Sequence, residues 1–332
     1  MLPKTAVIEL TSRCNHKCIF CSCPWEYDKD YKNNELSTDE WCRVIDLYVA
    51  NNVQHITFTG GEPLMREDLL DILDYAYKKG ISVGLISNGK RIDDEFLNKL
   101  AKYKILLSIS VPGIETFKEH TGIDNVENVL EIFTKCKKLG IQTTANITVT
   151  KKNIGELYQN ISYPILKGAD YVLLNRFLPG GRGMYNKEFL LSNDDINKML
   201  DIAEEVLSTA GIKGHIGTEL PLCIIKTPEK YKSLSVSTRC AAAKEFFVTD
   251  PSGYIKVCNH SPIRICKWNE LEKLETDETW NRYILSDFMP KMCLGCKNKD
   301  KCDGGCREAA RVNYGLINDI DPCFACLTAE NK

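Results

Sequence analysis

The sequence predicts an α/β protein in which a curved parallel sheet wrapped in helices is followed by a small, loop-rich segment. Three observations carry this. Short apolar runs rich in Ile, Val, Leu and Thr alternate with amphipathic stretches over the first two thirds of the chain, the pattern of strands buried on both faces under helices. Unusual loops follow several of those strands, and in barrels of this class chemistry gathers at the C-terminal strand ends. Ten of the sixteen cysteines lie from Cys223 onward, where long apolar elements give out, as in a segment that metal holds together. Together they describe a partial, TIM-like (βα)6 barrel over residues 1–215 and a second domain, with its bridging segment, over 216–332.

Six strands are expected, at 6–10, 55–59, 81–86, 105–110, 141–149 and 171–177. Ser37-Thr38-Asp39-Glu40 is a capping box ahead of a helix with Trp41, Val44, Ile45 and Tyr48 on one face. Leu69, Ile72, Leu73 and Ala76 repeat the pattern, and Gly80 ends that helix. Val126, Val129, Leu130 and Phe133 form a third helix before Gly140, and a last one runs near 194–210. Cys14, the Gly60-Gly61-Glu62-Pro63 turn, Asn88-Gly89 and Pro112-Gly113 all fall just past strand ends. Beyond Leu222 the alternation stops, and FFVTDPSGYIKVC at 246–258 is expected as a hairpin turned at Asp250-Pro251-Ser252-Gly253. The acidic runs Asp93-Asp94-Glu95 and Asp194-Asp195 are expected as solvated helix faces.

A net charge of −2 leaves no electrostatic footprint for nucleic acid. No stretch approaches the roughly 18 apolar residues of a membrane span, and the start MLPKTAVIELTSRC lacks a signal peptide's apolar region and cleavage site. A cytoplasmic protein is expected. In that reducing compartment sixteen cysteines, clustered at ligand spacing, point to metal rather than to disulfides.

Cys14, Cys18 and Cys21 are spaced C-x3-C-x2-C. Three thiolates in a tight loop hold three irons of a cubane and leave the fourth bare, and a metal with an open position is a place for chemistry. Zinc, held by the same thiols with His16, is the alternative. This loop together with TGGEP at 59–63 resembles the radical S-adenosylmethionine (SAM) superfamily, over Thr5 to about Ala210. The resemblance implies a 4Fe–4S cluster on Cys14, Cys18 and Cys21 that chelates SAM and reduces it to a 5′-deoxyadenosyl radical. It implies adenine packing on Phe20 and backbone contacts from Gly60 and Gly61 to the methionine amino group, glycine permitting close approach. Glu62 would meet that ammonium, and Asn88, Ser110 and Asn146 would serve ribose and carboxylate. Many relatives end the fourth strand Ser-x-Asp-Gly with an Arg shortly after. Here Ser110-Val111-Pro112-Gly113 lacks the Asp, and His120-Thr121-Gly122 stands near the place of the Arg, so Arg176 is the substitute expected for the SAM carboxylate.

The later cysteines run Cys240, Cys258, then Cys293-x2-Cys296-x5-Cys302-x3-Cys306, then Cys323-x2-Cys326. This is similar to the SPASM extension of radical SAM enzymes, which carries two auxiliary 4Fe–4S clusters and brings the total to three. The resemblance implies Cys240, Cys258 and Cys306 on the first, and Cys293, Cys296, Cys302 and Cys323 on the second. Cys223 is expected as the fourth ligand of the first, with Cys266 as second choice or a bare iron facing substrate. Cys326 is spare, Cys42 and Cys136 are expected as buried helix thiols, and Cys23 has no assigned role. A zinc ribbon is the alternative for the paired C-x2-C motifs.

Extra clusters suit a reaction in which the substrate loses a second electron, so a net two-electron oxidation is expected. SPASM relatives mostly crosslink or oxidise ribosomally made peptides or protein side chains, and a peptide substrate is the first expectation. The chain starts at the first strand, which predicts no N-terminal leader-binding domain and weakens that expectation. The alternatives are a small molecule such as a tetrapyrrole or cofactor precursor, whose carboxylate Arg176 or Arg182 in NRFLPGGRG would meet, and a non-catalytic iron–sulfur or zinc protein. The resemblance also implies a flavodoxin- or ferredoxin-type electron donor.

Overall fold

The predicted alternation sorts into one sheet of ten strands. A computed structural model describes residues 2–24 and 34–324, and Cys326 lies outside them. The strands are β1 (Thr5–Glu9), β2 (His55–Thr59), β3 (Ser82–Ser87), β4 (Ile105–Ser110), β5 (Gln142–Val149), β6 (Tyr171–Arg176), β7 (Gly214–Ile216), β8 (Leu234–Val236), β9 (Phe246–Thr249) and β10 (Ile255–Lys256). Helices α1 (Thr38–Ala50), α2 (Leu69–Lys78), α3 (Asp94–Leu100), α4 (Phe117–Thr121), α5 (Val126–Leu139), α6 (Leu157–Leu166) and α7 (Asn193–Ala210) connect the first seven strands, while α8 (Glu278–Ile284) and α9 (Arg307–Tyr314) follow the sheet.

The strand order is β10-β9-β1-β2-β3-β4-β5-β6-β7-β8, parallel from β9 to β8 with only β10 antiparallel. The sheet is therefore open, its ends being β10 and β8. β7 and β8 extend it past β6; at three residues each they are too short to carry a readable pattern. The 246–258 hairpin forms as expected, with Asp250 Oδ1 accepting from Ser252 and Tyr254 N–H at 2.9 Å each and Gly253 at φ 82°. Its first strand lies parallel to β1 in register Thr5↔Phe246. Lys256 of β10, fully buried, pairs with buried Glu9 at the end of β1 at 2.9 Å.

The helices form for the reasons the sequence offers. Ser37 and Glu40 close both arms of the capping box, and Trp41, Val44, Ile45 and Tyr48 face the core. The acidic runs turn out to be helix starts. Asp93 accepts the Phe96 N–H at the head of α3, and Asp195 completes a second capping box with Ser192 at the head of α7. Cys136 is buried as expected; Cys42 sits on the flank of α1 and is only half-buried.

Candidate active site

The loop after β1 is built by backbone pairing with the loop after β2. Gly61 N–H donates to Thr11 O at 2.7 Å and Glu62 N–H to Arg13 O at 2.8 Å. The two chains run so close that a Cβ on Gly61 would stand 2.2 Å from Arg13 O, and one on Gly60, at φ 140°, 2.5 Å from Thr11 O. This gives the glycines a second reason beside the expected one. They are required by the cysteine loop itself, whatever else their carbonyls meet.

The rest of the loop is braced from two sides. Lys17 and Ile19 N–H donate to Thr121 O and His120 O at the end of α4. From the loop after β6, Arg182 Nη1 donates to Cys18 O and Asn186 Nδ2 to Ile19 O, both at 2.9 Å, and Gly183 N–H donates to Cys21 O at 3.1 Å. A Cβ on Gly181 would collide with Cys23 O at 2.3 Å. Sequence reasoning missed these braces, and also Glu35, which takes the Thr11 hydroxyl at 2.5 Å and the Arg13 guanidinium at 3.1 Å. Nothing around Glu35 in the sequence marks it.

Cys14, Cys18 and Cys21 open onto one cavity of about 650 Å³ at the strand ends. Phe20, Gly60, Gly61, Glu62, Asn88, Ser110, Asn146 and Arg176 line it as well, so every SAM contact expected from the resemblance is brought to one place. Glu62 is buried, its Oε2 accepting from Asn88 N–H at 2.8 Å and its Oε1 from the Ser87 hydroxyl at 2.9 Å. Burial raises its pKa against those hydrogen bonds. A buried carboxylate surrounded by neutral donors fits an ammonium. Burial likewise pushes the Cys14 and Cys18 thiols up, with Arg182 opposing; bound iron would hold both as thiolates. His16 is neutral, its pKa lowered to about 4 by burial and Lys90, and its ring stands edge-on to Phe117 at 6.5 Å.

Two arginines are spoken for. Arg176 is buried, donating through Nη1 to Asp321 Oδ1 at 3.0 Å, through Nη2 to Asp321 Oδ2 at 2.5 Å and to Glu219 O at 2.9 Å. Only its Nε lacks a partner. This corrects the expectation that Arg176 takes the SAM carboxylate: its fork already holds a carboxylate of the protein. His120 does not replace it, since both ring nitrogens are held, by Thr116 O and the Thr150 hydroxyl at 2.9 Å each.

Cys240, Cys258 and Cys306 line the same cavity. Asp303 accepts the Cys240 N–H at 2.8 Å, and Asp321 accepts the N–H of Cys306 at 2.7 Å and of Cys323 at 3.0 Å. Burial would raise the Asp321 pKa, but Arg176 and the hydrogen bonds from Cys323 hold it below the ordinary range. Cys293, Cys296 and Cys302 surround a separate small hollow, and Cys223 stands with them. Leu222 N–H donates to Cys302 Sγ at 3.3 Å, which fixes the 222–224 turn against the second set. This corrects the expected pairing: Cys223 is not beside Cys240, Cys258 and Cys306. Cys266 lines neither cavity; it is buried in the core, its thiol pushed up to about 11. The ionisable groups other than thiols that line the large cavity include Glu219, His260 and Glu308.

Residues 8–160 match the sequence model of the Radical SAM superfamily. The chain carries a radical SAM domain. Over nearly its whole length it is also similar to proteins named PqqA peptide cyclase. The one from Granulibacter bethesdensis is 25% identical, over 97% of this chain and 87% of the relative; that from Bradyrhizobium diazoefficiens is 26% identical, over 98% and 86%. Among solved structures, Streptococcus suis SuiB bound to S-adenosylmethionine superposes with a TM-score of 0.74 at 18% identity, over 96% of this chain and 76% of that one. Native anSMEcpe with bound AdoMet and Cp18Cys peptide gives 0.71 at 20% identity, over 98% and 94%. These superpositions establish that the radical SAM domain and the strands beyond it share one known fold. No helix among the described residues is long and apolar enough to cross a membrane.

Proposed function

We propose that this chain is a cytoplasmic radical SAM enzyme that oxidatively modifies a ribosomally made peptide or a protein side chain. In this reading residues 1–215 hold SAM and the catalytic cluster, on Cys14, Cys18 and Cys21, and 216–332 form a SPASM domain with two auxiliary 4Fe–4S clusters. Cys240, Cys258 and Cys306 would hold the first auxiliary cluster, and Cys293, Cys296, Cys302 and Cys323 the second, with Cys223 at its side. The relatives named for a peptide cyclase support the substrate class.

One observation carries the proposal. A single cavity is lined both by Cys14, Cys18 and Cys21 and by Cys240, Cys258 and Cys306. When bound, the catalytic cluster and SAM supply a 5′-deoxyadenosyl radical that takes a hydrogen atom from the substrate. Glu62 then orients the methionine ammonium, and Asn88, Ser110 and Asn146 line the same wall. Arg182 and the loop after β6 hold the cysteine loop still. The small-molecule alternative loses its support, because Arg176 and Arg182 are both engaged by the protein.

The test is anaerobic reconstitution followed by reduction. About twelve irons per chain are expected, with 5′-deoxyadenosine released. A peptide encoded beside this gene would leave the reaction lacking two hydrogens. Bound zinc, or SAM left intact under a strong reductant, would sink the proposal.

A further inference from the structure

Cys240, Cys258 and Cys306 are one thiol short. They line the large cavity, whereas Cys223 stands with the second set and Cys266 lies in the core. Three thiolates leave one iron of a cubane without a protein ligand. The carboxylates about these thiols are mostly engaged. Asp303 accepts the Cys240 N–H, and Asp321 those of Cys306 and Cys323. Glu308 is buried, taking the Tyr283 hydroxyl on Oε1 at 2.8 Å and Arg311 Nε on Oε2 at 2.7 Å. Glu219 differs. It lines the cavity, and among the described residues no side chain hydrogen-bonds to its carboxylate; the donors near it are the amides of Glu219 itself and of Ala241.

The segment that carries Glu219 is fixed from several sides. Gly217 N–H donates to Leu174 O at 2.9 Å and Leu220 N–H to Ser237 O at 2.8 Å. The Glu219 carbonyl accepts from Arg176 Nη2 at 2.9 Å. Arg176 also grips Asp321, the acceptor of the Cys306 N–H, and Ser237 lies three residues before Cys240. These bonds bring Glu219 to both thiols. Burial pushes the Cys240 and Cys306 thiols up, and among the charged groups the Glu219 carboxylate adds most to each. A carboxylate held out of bulk water pairs with a cation or ligates a metal, and oxygen is an ordinary donor to iron.

We infer that the Glu219 carboxylate is the fourth protein ligand of the first auxiliary cluster, on the iron that Cys240, Cys258 and Cys306 leave bare. The inference rests on the cluster assignment proposed above. It replaces a bare iron facing substrate with a closed, mixed-ligand site. An oxygen ligand gives iron less electron density than a thiolate does, so such a cluster is easier to reduce than one held by thiolates alone. Histidines in place of two cysteines act in the same direction in Rieske centres. A cluster of that kind beside the cavity suits the first acceptor of an electron leaving the substrate.

The experiment compares Glu219→Ala, Glu219→Gln and Glu219→Cys with wild type after anaerobic reconstitution. It reads iron content, and midpoint potentials by redox titration followed with electron paramagnetic resonance, without turnover. Glu219→Ala and Glu219→Gln should each lose about one iron of the expected total of about twelve and show a three-iron signal when oxidised. Glu219→Cys should keep the full iron content and make the first auxiliary cluster at least about tenfold harder to reduce, a shift of about 59 mV to lower potential. Wild-type iron content and unchanged midpoints in all three variants overturn the inference and leave the cluster reading standing, with the iron open to substrate. A wild-type chain that takes up no iron overturns both. Iron lost from every set in all three variants makes Glu219 a folding residue and overturns the inference as well. Should Glu219→Ala alone misfold, Glu219→Gln and Glu219→Cys decide.

Discussion

Asp321→Asn is the most informative single change. Asp321 is fully buried and Arg176 nearly so, and their fork joins β6 to the cysteine-rich segment. The same two carboxylate oxygens accept the N–H groups of Cys306 and Cys323. Gly305 leaves no slack there, since a Cβ on it would stand 2.4 Å from Asp321 Oδ2. Removing the negative charge strands a buried guanidinium, and breaking such a pair costs about 3–5 kcal/mol. At the usual unfolding entropy per residue this is about 4–7 °C in a chain of this length. The double variant Arg176→Met/Asp321→Leu removes both charges and should recover part of the loss. Recovery stays incomplete, because the Cys306 and Cys323 N–H groups lose their acceptor at about 1–3 kcal/mol each. The assay is anaerobic thermal unfolding followed by circular dichroism. The folded pKa of Asp321 is depressed, so its contribution is complete at neutral pH and is lost only as pH falls through and below the ordinary carboxylate range. An Asp321→Asn variant melting within about 1 °C of wild type at pH 7 would refute this account.

Glu62→Gln should weaken SAM binding by about 10 to 150-fold, the worth of a charged hydrogen bond, measured by calorimetry on the reconstituted protein. Because burial raises the Glu62 pKa, the carboxylate is a penalty that grows as pH rises from the ordinary Glu value through the folded one; without SAM the melting difference should therefore favour Gln increasingly over that window. Gly61→Ala should cost about 1–3 kcal/mol or more through its clash with Arg13 O and lower iron uptake. Cys223→Ser should alter the electron paramagnetic resonance signal of the second auxiliary set and leave the first unchanged, whereas Cys266→Ala should cost core packing alone, with every iron signal retained.

Where apolar period and turn chemistry agree, the sequence is legible. The first six strands lie within a residue of their expected bounds, because each is a short β-branched run ending at a loop of distinctive composition. The capping box at Ser37 and the turn at Asp250 declare themselves locally. Less legible is anything decided between distant segments. That Gly60 and Gly61 are glycines because Thr11 and Arg13 pass beside them needs the β1–β2 register. Arg176 looked available because its partner lies 145 residues away. The cysteine spacing leaves the place of Cys223 open, and the 222–224 turn against Cys302 decides it. β7 and β8 are too short to show a period, so the extension of the sheet past β6 is not legible in the sequence.

The placement of β9 beside β1 sets an order of assembly. One edge of the first strand stays without its neighbour until residues 246–249 have been made, some 240 residues later. Until then the stretch leading into Cys14 has unpaired amides along one side, a surface open to wrong partners. Glu9 likewise waits for Lys256. A ribosome-bound fragment can build the middle of the sheet, yet cannot cover the outer edge of the strand that leads into Cys14. Completion of the sheet beside the amino-terminal strand is thereby tied to synthesis of the chain's last third.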